Sequence, residues 1–204
     1  MAVLVSDAFT DTNGVALGSH VPDVDTVGGG WSEVSGTWAI QSNRCRLGTS
    51  RGGGQVAAIG AGEVPAAVSA TCNFSGASGS YRGVFLCASS TGATGFLIAI
   101  HNTAGGRLRI VENASAIRAS VNVPIPVGDF TLSATWDGVT ITAQLDGAND
   151  IAYSPPSSPT HTHIGLRGRF AGDVWDDLMA TSSGDAESIV PMVQHHRRQQ
   201  LIGG

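Results

Sequence analysis

Strict alternation of apolar and polar residues recurs along almost the whole chain, and it restricts the fold more than any other feature. In "AVSATCNF", Val68, Ala70, Cys72 and Phe74 share one face, and Ser69, Thr71 and Asn73 share the other. In "FTLSATW", Leu132, Ala134 and Trp136 face one way; "VTITAQL" repeats the pattern with Val139, Ile141, Ala143 and Leu145. "RLRIVE" places Leu108 and Ile110 inward and both arginines outward. A period of two residues is that of a β-strand with one buried and one solvated face, the signature of antiparallel sheets. "YRGVFLCA" and "GFLIAIH" are apolar almost throughout, as central strands covered on both faces would be.

The turns agree. Asp137-Gly138 in "WDGV" joins two alternating runs, a strong hairpin signal, and "LDGAND" ends the next strand. "SPPSSP" at 154–159 is a loop, because proline supplies no donor to a ladder. The spacing predicts ten to twelve short strands and no helix, hence an all-β antiparallel sandwich over residues 1–183. From Gly184 the alternation stops. Residues 184–204 read as a C-terminal tail, either disordered or docking on a partner through Ile189, Val190, Met192, Val193, Leu201 and Ile202, with Arg197 and Arg198 for acidic groups.

Composition narrows the function. In 204 residues there are 28 glycines, and only 13% are charged against 42% hydrophobic, so the chain buries a core under a Ser/Thr/Gly-rich surface. The net charge of −5 argues against general nucleic-acid binding, and no run is long enough to span a membrane. The start "MAVLVSDAFTD" lacks a basic n-region and an apolar run, so no signal peptide is expected. Cys45, Cys72 and Cys87 form no regular framework. Cys72 and Cys87 fall in apolar strand phases and read as buried thiols, with a bridge between them as the alternative.

Four pieces resemble concanavalin A-like, laminin G-like jelly-roll domains, in the family's order: the lead-in "DAFTDTNGVALGSHVPD", "GGGWSEVSGTWAIQSNRCRLG", the hairpin "ATWDGVTITAQLDG" and the closing "GLRGRFAGDVWDDLMATSS". The resemblance covers about residues 7–183 and implies the jelly-roll sandwich. It is unspecific for function, since this fold hosts lectins, glycosidases, adhesion modules and virion proteins. Its phage members, with the absence of a signal peptide and of a catalytic set, lead to the first expectation. This is a non-enzymatic structural protein of a virus particle, a bacteriophage head-decoration or tail-associated protein, assembled in the host cytoplasm. Its partners would be other virion proteins or further copies of itself. The alternative is a carbohydrate-binding module that reads a host glycan. A glycoside hydrolase comes third, because the four Glu (Glu33, Glu63, Glu112, Glu187) nowhere form the closely spaced carboxylate set that hydrolysis needs.

Three constellations remain as candidates. His161 and His163, with Arg167, Arg169 and Trp175, form a possible glycan or partner face. The two histidines lack an evident third ligand for Zn²⁺. Asp7 and Asp176 would meet where the first and last strands pair and could hold a structural Ca²⁺. Turn capping is the favoured reading, so no cofactor is expected. In "DVWDDLMA", alternation sets Trp175, Asp177 and Met179 on one face and Val174, Asp176, Leu178 and Ala180 on the other, so Asp176 and Asp177 cannot act as a dyad.

Overall fold

The computed structural model describes residues 1–49, 55–74, 81–102 and 105–183. The expected tail and all of its proposed anchors, Ile189 to Ile202, lie outside the described residues. Two antiparallel sheets face each other across one core, as the alternation requires. In chain order the strands are β1 (Val3–Asp7), β2 (Val24–Asp25), β3 (Trp31–Ser32), β4 (Trp38–Ile40), β5 (Cys45–Leu47), β6 (Gln55–Gly60), β7 (Ala67–Asn73) and β8 (Tyr81–Ala88). They continue with β9 (Phe96–His101), β10 (Arg107–Glu112), β11 (Ala116–Asn122), β12 (Phe130–Trp136), β13 (Ile141–Leu145), β14 (Ala148–Tyr153), β15 (His163–Gly168) and β16 (Val174–Thr181). A single 3₁₀ turn, Leu17–Ser19, is the helical element among the described residues.

The larger sheet runs β14-β13-β12-β7-β16-β1-β2, with β5 also on β16 and β4 on β5. The smaller runs β11-β10-β9-β8-β15-β6-β3. Both apolar runs lie centrally in the smaller sheet as β8 and β9, with nearly every residue buried. The count exceeds the expectation of ten to twelve because β2 to β5 are two- or three-residue strands, too short to display a period.

The hairpins form as their turn chemistry dictates. Asp137 accepts the N–H groups of Val139 (2.8 Å) and Thr140 (2.7 Å), and Gly138 takes φ 96°. This turn carries Val139 out of the strand: it is 68% exposed, contrary to its expected place in the core. Asp146 and Gly147 both have positive φ and join Leu145 to Ala148 in a two-residue hairpin.

Two bulges break the alternation. At Cys87 (φ 52°) the β8–β15 register slips, so Leu86 and Cys87 both face the core. At Asp177 (φ 47°) the β16–β7 register slips between Asp176 and Met179. This bulge overturns the expected phase of "DVWDDLMA": Trp175, Leu178 and Ala180 all point into the core, and Asp177 is pushed into solvent. Cys45, Cys72 and Cys87 are buried and unbridged. Burial holds each thiol well above its ordinary pKa, Cys87 at about 12, so none is a ready nucleophile.

The three carboxylates around Trp175 thus have separate fates. Asp173 is fully buried and pairs with Arg82 (3.0 Å) inside the sandwich. Asp176 lies 3.5 Å from the Nε of Arg44, whose guanidinium also clasps Asp129. Burial, and then the neighbouring charge of Asp177, raise Asp176 to a pKa of about 6. Its folded value lies above its unfolded value near 4. The stability linked to its proton is therefore full below about pH 4 and is lost as pH rises through about 6. Asp176→Asn should stabilise the protein at pH 7.5 by about 1–2 kcal/mol, a rise of roughly 2–6 °C in melting temperature. The gain should vanish at pH 4; a pH-independent gain, or a loss at pH 7.5, would contradict this assignment.

Candidate functional site

The smaller sheet has an inner face that packs into the core and an outer face with its own side-chain pattern. Its register aligns the outward residues in rows across the strands. One row reads Arg107, His101, Tyr81 over β10, β9 and β8. The next reads Arg109, Ala99, Gly83, Arg167, Val56 over β10, β9, β8, β15 and β6. The third reads Val111, Leu97, Phe85, Gly165, Ala58. Val56, Phe85, Ala88, Leu97, Ala99 and Val111 form a second apolar cluster on this face, with Tyr81 packed against it. The turn between β8 and β9 folds back here, because a Cβ on Gly92 would stand 2.5 Å from Val56. Gly83 is fixed by close approach: a Cβ there would lie 1.8 Å from the carbonyl oxygen of Ile98.

Two features stand on this base. The first is a cavity of about 250 Å³ lined in part by Gly29, Gly30, Ser32, Gly60, Ser90 and His163. Its rim is built by Asp25, which accepts the N–H groups of Val27, Gly28, Gly29 and Gly30 at 2.8–3.1 Å. Although burial opposes ionisation, these four donors hold the Asp25 carboxyl below its usual pKa. His163, half-buried, is one of the lining residues, and burial with the nearby His161 lowers its pKa, so it stands neutral at pH 7.

The second feature is cationic. Arg109 is 8% exposed; its Nη1 donates to the Tyr81 hydroxyl (3.2 Å) and its guanidinium lies over the Tyr81 ring at 5.5 Å. Tyr81 in turn packs on His101, with ring centroids 5.0 Å apart. Arg167 approaches from the other side of β8. Its pKa is lowered by burial and by Arg169, with Tyr81 acting in the opposite sense. The Nε atoms of Arg109 and Arg167 are buried without a hydrogen-bond partner. Among the described residues, Arg44, Arg82 and Arg118 pair with carboxylates.

The structure therefore brings His163 and Arg167 onto one face but redistributes the other expected members. His161 precedes β15, is exposed, and bonds through Nε2 to Thr94 Oγ1 (2.8 Å). Arg169 lies in the turn after β15, where its N–H donates to Asp173 (2.8 Å). Trp175 leaves the face entirely. It is 0% exposed, packs on Trp38 (5.2 Å) and Phe74 (5.4 Å), and donates its indole N–H to the Gly83 carbonyl (3.3 Å). The pairing expected for Ca²⁺ does not form. Both oxygens of Asp7 accept hydrogen bonds, from Phe9 N (2.7 Å), Trp31 Nε1 (2.7 Å) and His20 Nε2 (2.9 Å), whereas Asp176 faces Arg44. Among the described residues no group of three His, Cys, Asp or Glu is placed to hold a metal. Sequence reasoning missed Tyr81, His101 and Arg109 as one group. They come from three separate strands, and only the register joins them.

No family model matches the chain, and no curated protein matches it. Similar solved structures exist. The carbohydrate binding module CBM66 from Bacillus subtilis superposes with a TM-score of 0.63 at 18% identity, over 74% of this chain and 95% of that one. The VIP36 exoplasmic/lumenal domain in its Ca²⁺/Man2-bound form gives 0.57 at 9% identity, covering 86% and 89%. A Bacillus licheniformis β-glucanase gives 0.55 at 12%, covering 87% and 97%. These likenesses establish that the chain folds as a concanavalin A-like jelly-roll sandwich.

Proposed function

We propose that this chain is a non-catalytic carbohydrate-binding domain that reads a glycan with the outer face of its smaller sheet. One observation carries the reading. The outward residues of β6, β8, β9, β10 and β15 supply hydrogen-bond donors and one half-buried aromatic ring but not a single Asp or Glu. Sugar hydroxyls need oriented hydrogen-bond donors, and this face has them. Glycosidic hydrolysis needs two carboxyl groups flanking the scissile bond, and the outward residues of these five strands offer none. The likeness to a carbohydrate binding module and to a domain in a Man2-bound form supports the same reading, whereas the glucanase shares the fold without lending this face its chemistry.

For the setting, a bacteriophage particle assembled in the host cytoplasm is kept as a proposal. It rests on the sequence resemblance alone. On such a particle this domain would serve as the receptor-reading part of a fibre.

The test is retention on a panel of immobilised neutral and acidic polysaccharides, with reducing ends assayed in parallel. Binding to at least one polymer in the micromolar to millimolar range, without release of new reducing ends, is expected. Failure to bind any polymer would reject the proposal, and turnover of a bound polymer would reject its non-catalytic part.

A further inference from the structure

We infer that the sugar taken by this face carries a carboxylate, seated between Arg109 and Arg167 above Tyr81. This specifies the ligand class of the glycan-binding reading and rests on it. Arg109 and Arg167 share one cross-strand row with only Ala99 and Gly83 between them, so no side chain larger than a methyl group separates the two arginines in that row. The two Cα positions are three strand spacings apart, roughly 14 Å. Arg109 reaches the Tyr81 hydroxyl on β8 (3.2 Å), and the pairing of β15 with β8 places Arg167 on the opposite side of that strand.

Two further facts separate this pair from ordinary surface arginines. Each has a buried Nε with no partner, although a buried donor left unpaired is costly, and more so when charged. Neither pairs with a carboxylate among the described residues, in a chain whose net charge is −5. A protein with surplus acid could have neutralised these cations internally. A carboxylate ligand satisfies both forks at once, because the guanidinium plane matches the two oxygens of a carboxylate. Tyr81 then offers its hydroxyl beside the anion and its ring edge to the sugar, and Arg107 adds a further positive charge in the neighbouring row. The ligand class that meets all of these is a uronate-bearing polysaccharide.

Isothermal titration against a polyuronate, the same polymer with its carboxyl groups reduced to alcohols, and a neutral glucan tests the inference on the full chain. The polyuronate is expected to bind at least tenfold more tightly than its reduced form, with affinity falling as salt rises. Arg167→Gln should weaken polyuronate binding at least tenfold with little change in melting temperature, since the side chain is half-exposed. Arg109→Met, which keeps the apolar stem over Tyr81, should do the same. Arg167→Lys keeps the charge but loses the fork and should recover only part of the affinity. Equal binding of the reduced polymer, or unchanged binding by both Arg109→Met and Arg167→Gln, would overturn the inference. Binding of the neutral glucan alone would overturn it too, while leaving the glycan-binding reading intact. A sulfated polysaccharide that binds while the polyuronate does not would likewise reject the carboxylate.

Discussion

Arg82→Ala should destabilise the sandwich by about 3–5 kcal/mol, lowering its melting temperature on the order of 10 °C. Arg82 and Asp173 are both 0% exposed, so neither charge has water to fall back on. The guanidinium meets Asp173 Oδ1 at 3.0 Å and lies over the rings of Phe74 (5.0 Å) and Phe170 (5.7 Å). Asp173 Oδ2 accepts the N–H groups of Arg169 (2.8 Å) and Phe170 (3.0 Å), which ties the pair to the turn between β15 and β16. Burial draws the Arg82 pKa down, and Asp173 draws it back up. Removing the cation strands a buried carboxylate and opens a cavity beside two aromatic rings, so both penalties act together. Replacing both partners is gentler. The double variant Arg82→Met with Asp173→Asn should recover at least half of the loss, because no charge is then left alone. Urea melts of the two variants provide the check. A loss under about 1 kcal/mol for Arg82→Ala would show that the pair is not a structural element of the core.

His20→Ala is expected to lose about 2–4 kcal/mol at pH 6, with a smaller loss at pH 8.5. His20 is 5% exposed and lies between two carboxylates, Nε2 to Asp7 (2.9 Å) and Nδ1 to Asp11 (3.1 Å). Burial disfavours its charged form, but the hydrogen bonds to Asp7 and Asp11 outweigh burial and raise its pKa. Neutral imidazole has one N–H for two acceptors, while imidazolium has two. A raised folded pKa means that this stability is full below the unfolded value near 6.5 and is lost as pH rises through the folded value. Asp7 itself is pushed up by burial and pulled back by His20, Trp31 and Phe9, so losing His20 leaves it with two donors. Thermal melts of wild type and variant from pH 5.5 to 8.5 measure the difference; a gap that grows with pH would contradict this wiring.

The fold is legible in the sequence because its main signals are local. Val68-Ala70-Cys72 and Leu132-Ala134 face the core as their alternation demands, and Asp137-Gly138 and Asp146-Gly147 turn the chain where they stand. What alternation cannot register is a slip of one residue. Nothing in "FLCAS" or "WDDLM" announces the bulges at Cys87 and Asp177, yet each reverses the facing of the residues after it. Alternation alone does not place Trp175 for that reason; the ring settles in the core, and the adjacent bulge returns Leu178 to the same side. The candidate face is half legible. His163 and Arg167 are two strand positions of one run. Tyr81 and Arg109 are 28 residues apart and meet only because β8, β9 and β10 pair in one particular register.

The two ends of the sandwich meet at one spot. Ala2 donates its N–H to Ser182 Oγ (3.0 Å) and accepts the Ser182 N–H (2.9 Å), beside the Val3–Thr181 pair of the larger sheet. Entry and exit points side by side make a unit that can be spliced into a loop of another protein without stretching either chain. They also make a handle. A tether from either end holds the module by its larger sheet, so the arginine row on the far sheet stays turned away from whatever carries it.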